Sequence, residues 1–334
     1  MIPAHPLALD RHRRLDPRRQ RALTRYYLDA GATGLAIGVH TTQFAIRTVG
    51  LLEPVLALAA ATAREWTARP VALIAGVVGP TRQAAREARL AADLGYHAAL
   101  VSLGGLGRWP EERLLDHLRE VATVLPVMGF YLQPAVGGRP LGYRFWRRLA
   151  EIDNVVAIKV APFDRYRTLD VVRAVVDAGR HRDVALYTGN DDAIVTDLTT
   201  GLRLRGPNGR PVTARFVGGL LGHWAYWTKR AVELVRSCRA AAGRAVPRRL
   251  LQLAGPTTDA NAAIFDASHR FRGCIPGIHE VLRRQGFLRG RWCLDPREEL
   301  TIGQASQIER VHRAYPFLND DRFVRPRLAR WLAD

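Results

Sequence analysis

Short apolar runs of strand length recur along the chain, at residues 34–39, 71–77, 98–103, 127–132, 155–161, 184–188 and 214–217. Between them lie longer segments whose apolar residues return at helical spacing. Ala84, Ala88, Ala91 and Leu94 form one such stripe, and Leu169, Val172 and Val176 form another. Strands that are apolar throughout are buried on both faces, and their alternation with helices predicts a parallel sheet with right-handed crossovers. A further strand at 6–9 brings the count to eight by about residue 220, the size of an α/β fold of the (β/α)8 TIM barrel type. An open doubly wound sheet is the alternative, but the cluster Gly104-Gly105-Leu106-Gly107 lacks the G-x-G-x-x-G spacing of a dinucleotide loop. Past residue 222 the pattern is helical only, at 224–242, 260–271, 277–284 and 303–315. The expected organisation is therefore a catalytic barrel over 1–222 and a C-terminal helical region, 223–334, packed on it. One segment, 202–216, breaks the rhythm around Pro207-Asn208-Gly209-Arg210-Pro211, and Asn-Gly signals a hairpin. It reads as a surface insertion, with a flap over the barrel mouth or an oligomer contact as the functional alternatives.

Composition narrows the class. In a chain of 334 residues, 48% hydrophobic and 24% charged side chains exclude a disordered protein. No run of roughly 18 uncharged apolar residues marks a spanning helix, so no membrane partner is expected. The opening Met1-Ile2-Pro3-Ala4-His5 carries no secretory pattern, which makes the cytoplasm the expected compartment. Cys238, Cys274 and Cys293 are odd in number and share no metal-type spacing, so ordinary thiols are expected rather than a disulfide framework or zinc site. The ten histidines show neither H-x-H on a strand nor H-E-x-x-H, and no metal is expected. A formal charge of +19 raises the question of nucleic acid. The arginines are spread along the chain, with no block of five like charges and no interleaved aromatics, which argues against a nucleic-acid site.

The basic residues hold a sharper signal. Lys159 and Lys229 are the only lysines among 50 basic residues. Lys159 sits in the apolar strand Val155-Val156-Ala157-Ile158-Lys159-Val160-Ala161, where a charged amine is costly. Desolvation lowers a lysine pKa, and a neutral amine is the nucleophile that forms Schiff bases with carbonyl compounds. The sixth strand would point it into the barrel near the end where barrel enzymes keep their active sites; a buried ion pair or a snorkelling side chain is the bland alternative. Tyr131, in Gly129-Phe130-Tyr131-Leu132-Gln133-Pro134, closes the fifth strand one β/α unit earlier. Equal depth on neighbouring strands would set its phenol beside Lys159 as a proton shuttle; taken alone it reads as a core aromatic. Asp191 and Asp192 read as caps of the following helix more readily than as a catalytic pair, and Cys274 reads as structural.

These residues resemble the dihydrodipicolinate synthase and N-acetylneuraminate lyase superfamily, from about residue 6 to about residue 286. Ala157-Ile158-Lys159 is similar to the family's strand-six lysine context, and Tyr131-Leu132-Gln133-Pro134 to its Y-N-x-P. Gly76-Val77-Val78-Gly79 through Ala88, Ala91, Ala92 and Gly95 resembles its third strand and helix, and Thr188-Gly189-Asn190-Asp191 its S-G-x-D. The resemblance implies a barrel with C-terminal helices, class I aldolase or lyase chemistry on a pyruvate-like 2-oxo acid, and catalytic roles for Lys159 and Tyr131. It also implies a homo-oligomer, dimer or tetramer, and no cofactor, because the iminium itself is the electron sink.

The departures are as informative. The family's carboxylate-holding G-T-T-G-E aligns with Val39-His40-Thr41-Thr42-Gln43. Without a gap, His40 replaces the first threonine and becomes a candidate acid or base; shifted by one residue, Thr41 and Thr42 are the pair. Gly189, Gly218 and Gly219 are the expected backbone lining. Val136 stands where synthases carry a carboxylate-binding arginine, with Arg139 three residues on, and Gly104 and Gly105 stand where they carry a tyrosine pair. The expectation is a divergent member, not a true dihydrodipicolinate synthase, with a different acceptor or elimination step. A dehydratase or hydratase-aldolase of the same family, or a non-catalytic binding barrel with a basic surface, are the alternatives.

Overall fold

The structure, a computed structural model, describes residues 1–333. Its main sheet contains β1 (Ile2–Pro3), β2 (Gly34–Ile37), β3 (Ala72–Val77), β4 (Ala98–Val101), β5 (Val127–Leu132), β6 (Val155–Ala161) and β7 (Ala185–Thr188). A separate hairpin, β8 (Leu202–Arg205) and β9 (Pro211–Ala214), precedes the last strand of the sheet, β10 (Gly218–Leu221). The strand order is β1-β10-β7-β6-β5-β4-β3-β2, and a parallel bridge from Ala4 to Ala36 returns from the first strand to the second. Eight parallel strands alternating with helices thus form a nearly closed (β/α)8 barrel with C-terminal helices.

Two strand positions differ from the sequence pattern. The first strand lies at Ile2–Pro3 rather than 6–9, because Pro6 has no N–H to give a ladder and His5 N already donates to Ala36 O at 2.8 Å. The eighth lies at Gly218–Leu221 rather than 214–217, since Ala214 is taken by the antiparallel partner Leu202. Glycines in a strand interior give no apolar signal, which hid this strand. The hairpin itself follows the Asn-Gly signal, with Gly209 at φ 75° in its turn.

The chain clusters into two compact units. One comprises Met1–Leu73, Leu221–Arg236 and the chain from Gln252 on. Its first helix, α1 (Pro17–Ala30), starts where the Asp16 carboxylate accepts from Arg19 N at 3.1 Å and stops at Gly31, whose φ of 106° suits glycine. After α2 (Leu52–Trp66), this unit contains most of α8 (Thr228–Ala241) and, past the short α9 (Arg248–Leu251), the helices α10 (Ala254–Ile264), α11 (Cys274–Arg284), α12 (Gln304–Ala314), α13 (Asp321–Val324) and α14 (Leu328–Trp331). They close over α1 through aromatic contacts: the Tyr26 ring lies 4.6 Å from Phe287 and 5.3 Å from Trp331. Buried Asp320 accepts from Tyr26 OH at 2.7 Å and Lys229 N at 2.9 Å.

The other unit comprises Ile74–Leu220 and Ser237–Leu251. It holds β4 to β7 with α3 (Thr81–Asp93), α4 (Glu111–Ala122), α5 (Tyr143–Ala150), α6 (Arg165–Asp177) and α7 (Ile194–Thr199). α5 buries Phe145, Trp146 and Leu149, each contributing roughly 1.5–3 kcal/mol. α6 begins at Asp164, whose carboxylate accepts from Arg167 N. The cap expected of Asp191 and Asp192 is not formed: the N-cap of α7 is Ala193, with no side-chain cap hydrogen bond.

Candidate functional site

Side chains in a strand alternate between faces. A Cβ at Gly129 would stand 2.7 Å from Leu149 and 3.7 Å from Trp146, both on α5, and 3.6 Å from Ile158. Gly129 and its partner Ile158 therefore face the helix layer, and Lys159, one residue on, faces the other way. The Lys159 side chain is half-buried, with Nζ 4.3 Å from the centre of the Phe130 ring. Burial pulls its pKa down to about 8, while the Asp191 carboxylate opposes the fall. A Cβ at Gly189 would stand 2.8 Å from Lys159 Cε and 2.7 Å from Ala161 Cβ, so only glycine lets the lysine stem pass. The sequence offered Gly189 as backbone lining; its structural part is to make room for this amine.

The loops beside Lys159 are fixed by buried polar groups. The Asp197 carboxylate, fully buried, accepts from Thr188 Oγ1 and Asn190 Nδ2 and pairs with Arg165. Asn190 in turn donates to Thr168 Oγ1 at 3.2 Å and accepts from Phe163 N at 3.1 Å. That last bond holds Phe163 at φ 52°, a conformation rare outside glycine. The turn after β6 and the turn after β7 are thereby joined around one carboxylate.

Tyr131 is not where the strand positions suggested. A register shift between Val127 and Met128 pairs Phe130 with Lys159 and Tyr131 with Val160. Tyr131 faces the helix layer, its ring 4.8 Å from Trp146 and its hydroxyl bonded to Leu141 N at 3.3 Å and Arg167 Nη1 at 3.1 Å. The expected juxtaposition of Tyr131 and Lys159 is corrected accordingly: one extra residue in β6 turns the tyrosine to the opposite face. Arg139 donates to the carbonyls of Trp109 at 2.7 Å and Gly107 at 3.3 Å, which ties the loop after β5 to the loop after β4.

In the other unit, His40–Thr42 form a 3-10 turn after β2. Thr42 Oγ1 donates to His5 O at 2.7 Å and accepts from Gly38 N at 3.0 Å and Val39 N at 3.3 Å, so this buried hydroxyl knots two chain segments together. Thr41 Oγ1 donates to the same carbonyl at 3.3 Å. His40 is half-buried, its ring 6.1 Å from that of Phe44. Gly218 and Gly219 lie in β10, paired with Tyr187 and Thr188. Among the described residues no group of three or more His, Cys, Asp or Glu is arranged to hold a metal ion, and no helix is long and apolar enough to cross a membrane. Among the described residues no cysteine is joined in a disulfide, and burial pushes the Cys238 thiol up to about 12.

Sequence reading missed Phe130, Tyr187 and the Asp197 knot. Period two counted back from Gly189 puts Tyr187 on its face, a signal present in the chain; the face of Phe130 depends on the register shift and was not legible.

Known proteins share this frame. The profile of the Dihydrodipicolinate synthetase family matches residues 1–206. The 4-hydroxy-tetrahydrodipicolinate synthase of Synechocystis is 30% identical over 123 residues, covering 36% of this chain and 39% of the synthase. The matched stretch spans about two fifths of the length of the first curated relatives. The N-acetylneuraminate lyase of Citrobacter koseri is 27% identical over 205 residues, 60% of this chain and 65% of the lyase. Among solved structures, the DHDPS of Cyanidioschyzon merolae with lysine bound superposes with a TM-score of 0.77 over 95% of this chain and 97% of its own, at 19% identity, a likeness of fold. With a family profile spanning more than half its length, the chain belongs to the dihydrodipicolinate synthetase family.

Proposed function

We propose that this chain is a class I lyase or aldolase that takes a pyruvate-like 2-oxo acid as a Schiff base on Lys159. The observation that carries the reading is the half-buried amine, its pKa drawn down to about 8, lodged between Phe130 and the missing side chain of Gly189. At pH 7 an ordinary lysine is neutral in roughly one molecule in 2,500, whereas a pKa of about 8 leaves about one in ten neutral. That difference supplies the nucleophile. The amine attacks the ketone carbon, water leaves, and the iminium accepts the electron pair of a bond at the adjacent carbon: a carbon–carbon bond in aldol cleavage, or a carbon–hydrogen bond whose loss as a proton gives the enamine that then expels a hydroxyl in dehydration. No metal or organic cofactor enters this scheme.

Val136, Gly104 and Gly105 stand where synthases carry their arginine and tyrosine pair, which supports an acceptor other than that of a true dihydrodipicolinate synthase. The carboxylate-holding role expected of Thr41, with His40 or Thr42, belongs to the same proposal. Both hydroxyls donate to His5 O, but Thr42 does so at 2.7 Å and also accepts from Gly38 N and Val39 N, whereas Thr41 makes only the longer 3.3 Å bond, which favours Thr41 and His40 as the groups to vary; a raised KM in Thr41→Val or His40→Ala supports it. A homo-oligomer, to be measured by light scattering, is likewise proposed.

The test is intact mass after incubation with pyruvate and borohydride. A reduced adduct present in the native chain and in Lys229→Ala, and absent from Lys159→Ala, is the expected result. One observation favours a second reading, a non-catalytic binding barrel: the Tyr131 hydroxyl is bonded on the helix side rather than to the lysine. Absence of any adduct with pyruvate, 2-oxobutanoate or 2-oxoglutarate would count against the Schiff base and favour that reading instead.

A further inference from the structure

β5, β6, β7 and β10 share one row of paired positions: Phe130 with Lys159, Lys159 with Tyr187, and Tyr187 with Gly218. Paired residues on adjacent parallel strands point to the same face, with backbones about 4.8 Å apart. Their neighbours in the chain fix which face this is. Ile158 sits against Gly129 on the α5 side, and Thr188 donates to Asp197 of α7, so Lys159 and Tyr187 both face away from the helix layer. Within the row Phe130 is an apolar wall, Gly218 has no side chain, and Tyr187, directly paired with Lys159, is the residue that carries a hydroxyl.

Tyr187 is half-buried, and its hydroxyl is not hydrogen-bonded to another group among the described residues. The contrast with Tyr131 is direct, since that hydroxyl is held by Leu141 N and Arg167. Burial raises the Tyr187 pKa above that of an ordinary phenol, so the group stays protonated at neutral pH, while the positive charge of Arg239 eases its ionisation.

We infer that Tyr187, from the strand on the opposite side of Lys159 to Tyr131, is the catalytic acid and base of the Schiff-base chemistry. The inference rests on the Lys159 reading above and adds its proton carrier. After the amine adds to the ketone, the carbinolamine C–O bond breaks, and the Tyr187 proton goes to the departing hydroxyl. Iminium, water and phenolate result. The phenolate then removes a proton from the carbon next to the iminium, giving the enamine and restoring the phenol. Charge and atoms balance without any further reactant.

The experiment uses the full chain with pyruvate in deuterated buffer. Exchange of the pyruvate methyl protons, followed by NMR, reads enamine formation, and borohydride trapping with intact mass reads the Schiff base separately. Tyr187→Phe removes one oxygen and is expected to slow methyl exchange by about 100- to 10,000-fold, the range of a lost general acid–base, while prolonged incubation still yields the Lys159 adduct. That adduct also shows the variant to be folded. Exchange in Tyr187→Phe within about threefold of the native rate, with the adduct intact, overturns the role of Tyr187 and leaves the Schiff base standing. No adduct in the native chain overturns both.

Discussion

Replacing Lys159 by methionine keeps an unbranched stem of similar length and removes the amine, and the variant should be more stable than the native chain at neutral pH. The native protein holds this amine near pKa 8, against about 10.4 for lysine in an unfolded chain. A shift of roughly two and a half units corresponds to about 3 kcal/mol at most, and screening by the water that reaches a half-buried side chain reduces this to ~1–2 kcal/mol. For a chain of 334 residues that is roughly 1–3 °C in Tm. Between about pH 8 and pH 10.4 the unfolded lysine still holds its proton and the folded one has released it, so native stability rises with pH across that window. The methionine variant carries no such proton. Its advantage is therefore full below pH 8 and falls to under half by about pH 9.5. Urea denaturation of both proteins at about pH 6.5 and about pH 9.5 measures this directly. A variant no more stable than the native chain at the lower pH, or one whose advantage is equal at both, would refute the desolvated-amine argument, because the penalty must be present and must titrate.

The remaining predictions concern the lysine's surroundings. Gly189→Ala places a methyl group 2.8 Å from Lys159 Cε, so stability should fall by about 1–3 kcal/mol and the borohydride-trapped adduct should diminish; an unchanged adduct would show that the stem has another path. Asp191→Asn removes the carboxylate that opposes the fall in the Lys159 pKa, so the acid limb of adduct formation should move to lower pH, and movement to higher pH would count against the stated electrostatics. Tyr131→Phe leaves Leu141 N and Arg167 without their phenol and should lower stability by about 1 kcal/mol in denaturant titration; no loss would mean the hydroxyl is not held on the helix side. Asp197→Ala leaves Arg165, Thr188 and Asn190 without their shared acceptor in a buried place, and a loss of about 3–5 kcal/mol is expected, read in the same titration.

Much of this protein is determined by its sequence alone. Apolar runs alternating with helical stripes require a parallel sheet wrapped by helices, because such strands must be covered on both faces. The choice of arginine at all but two of 50 basic positions, together with its place in an apolar strand, singles out Lys159. The Asn208-Gly209 pair placed the hairpin turn, since few residues tolerate the left-handed conformation it needs.

What tertiary structure decided is register. Within a strand the sequence assigns alternate residues to alternate faces, yet nothing in it sets one strand's faces against the next. The pairing of Val155 with Val127 and Ala157 with Met128 skips one residue, and that single step places Phe130 rather than Tyr131 on the face of Lys159. The eighth strand was hidden for a related reason: Gly218 and Gly219 carry no apolar side chain, and only the ladder to Tyr187 and Thr188 makes them a strand. The same ladder puts the Tyr187 phenol beside the amine. Local chemistry chooses the residues and the elements; hydrogen bonds between strands distant in the chain choose which of those residues meet.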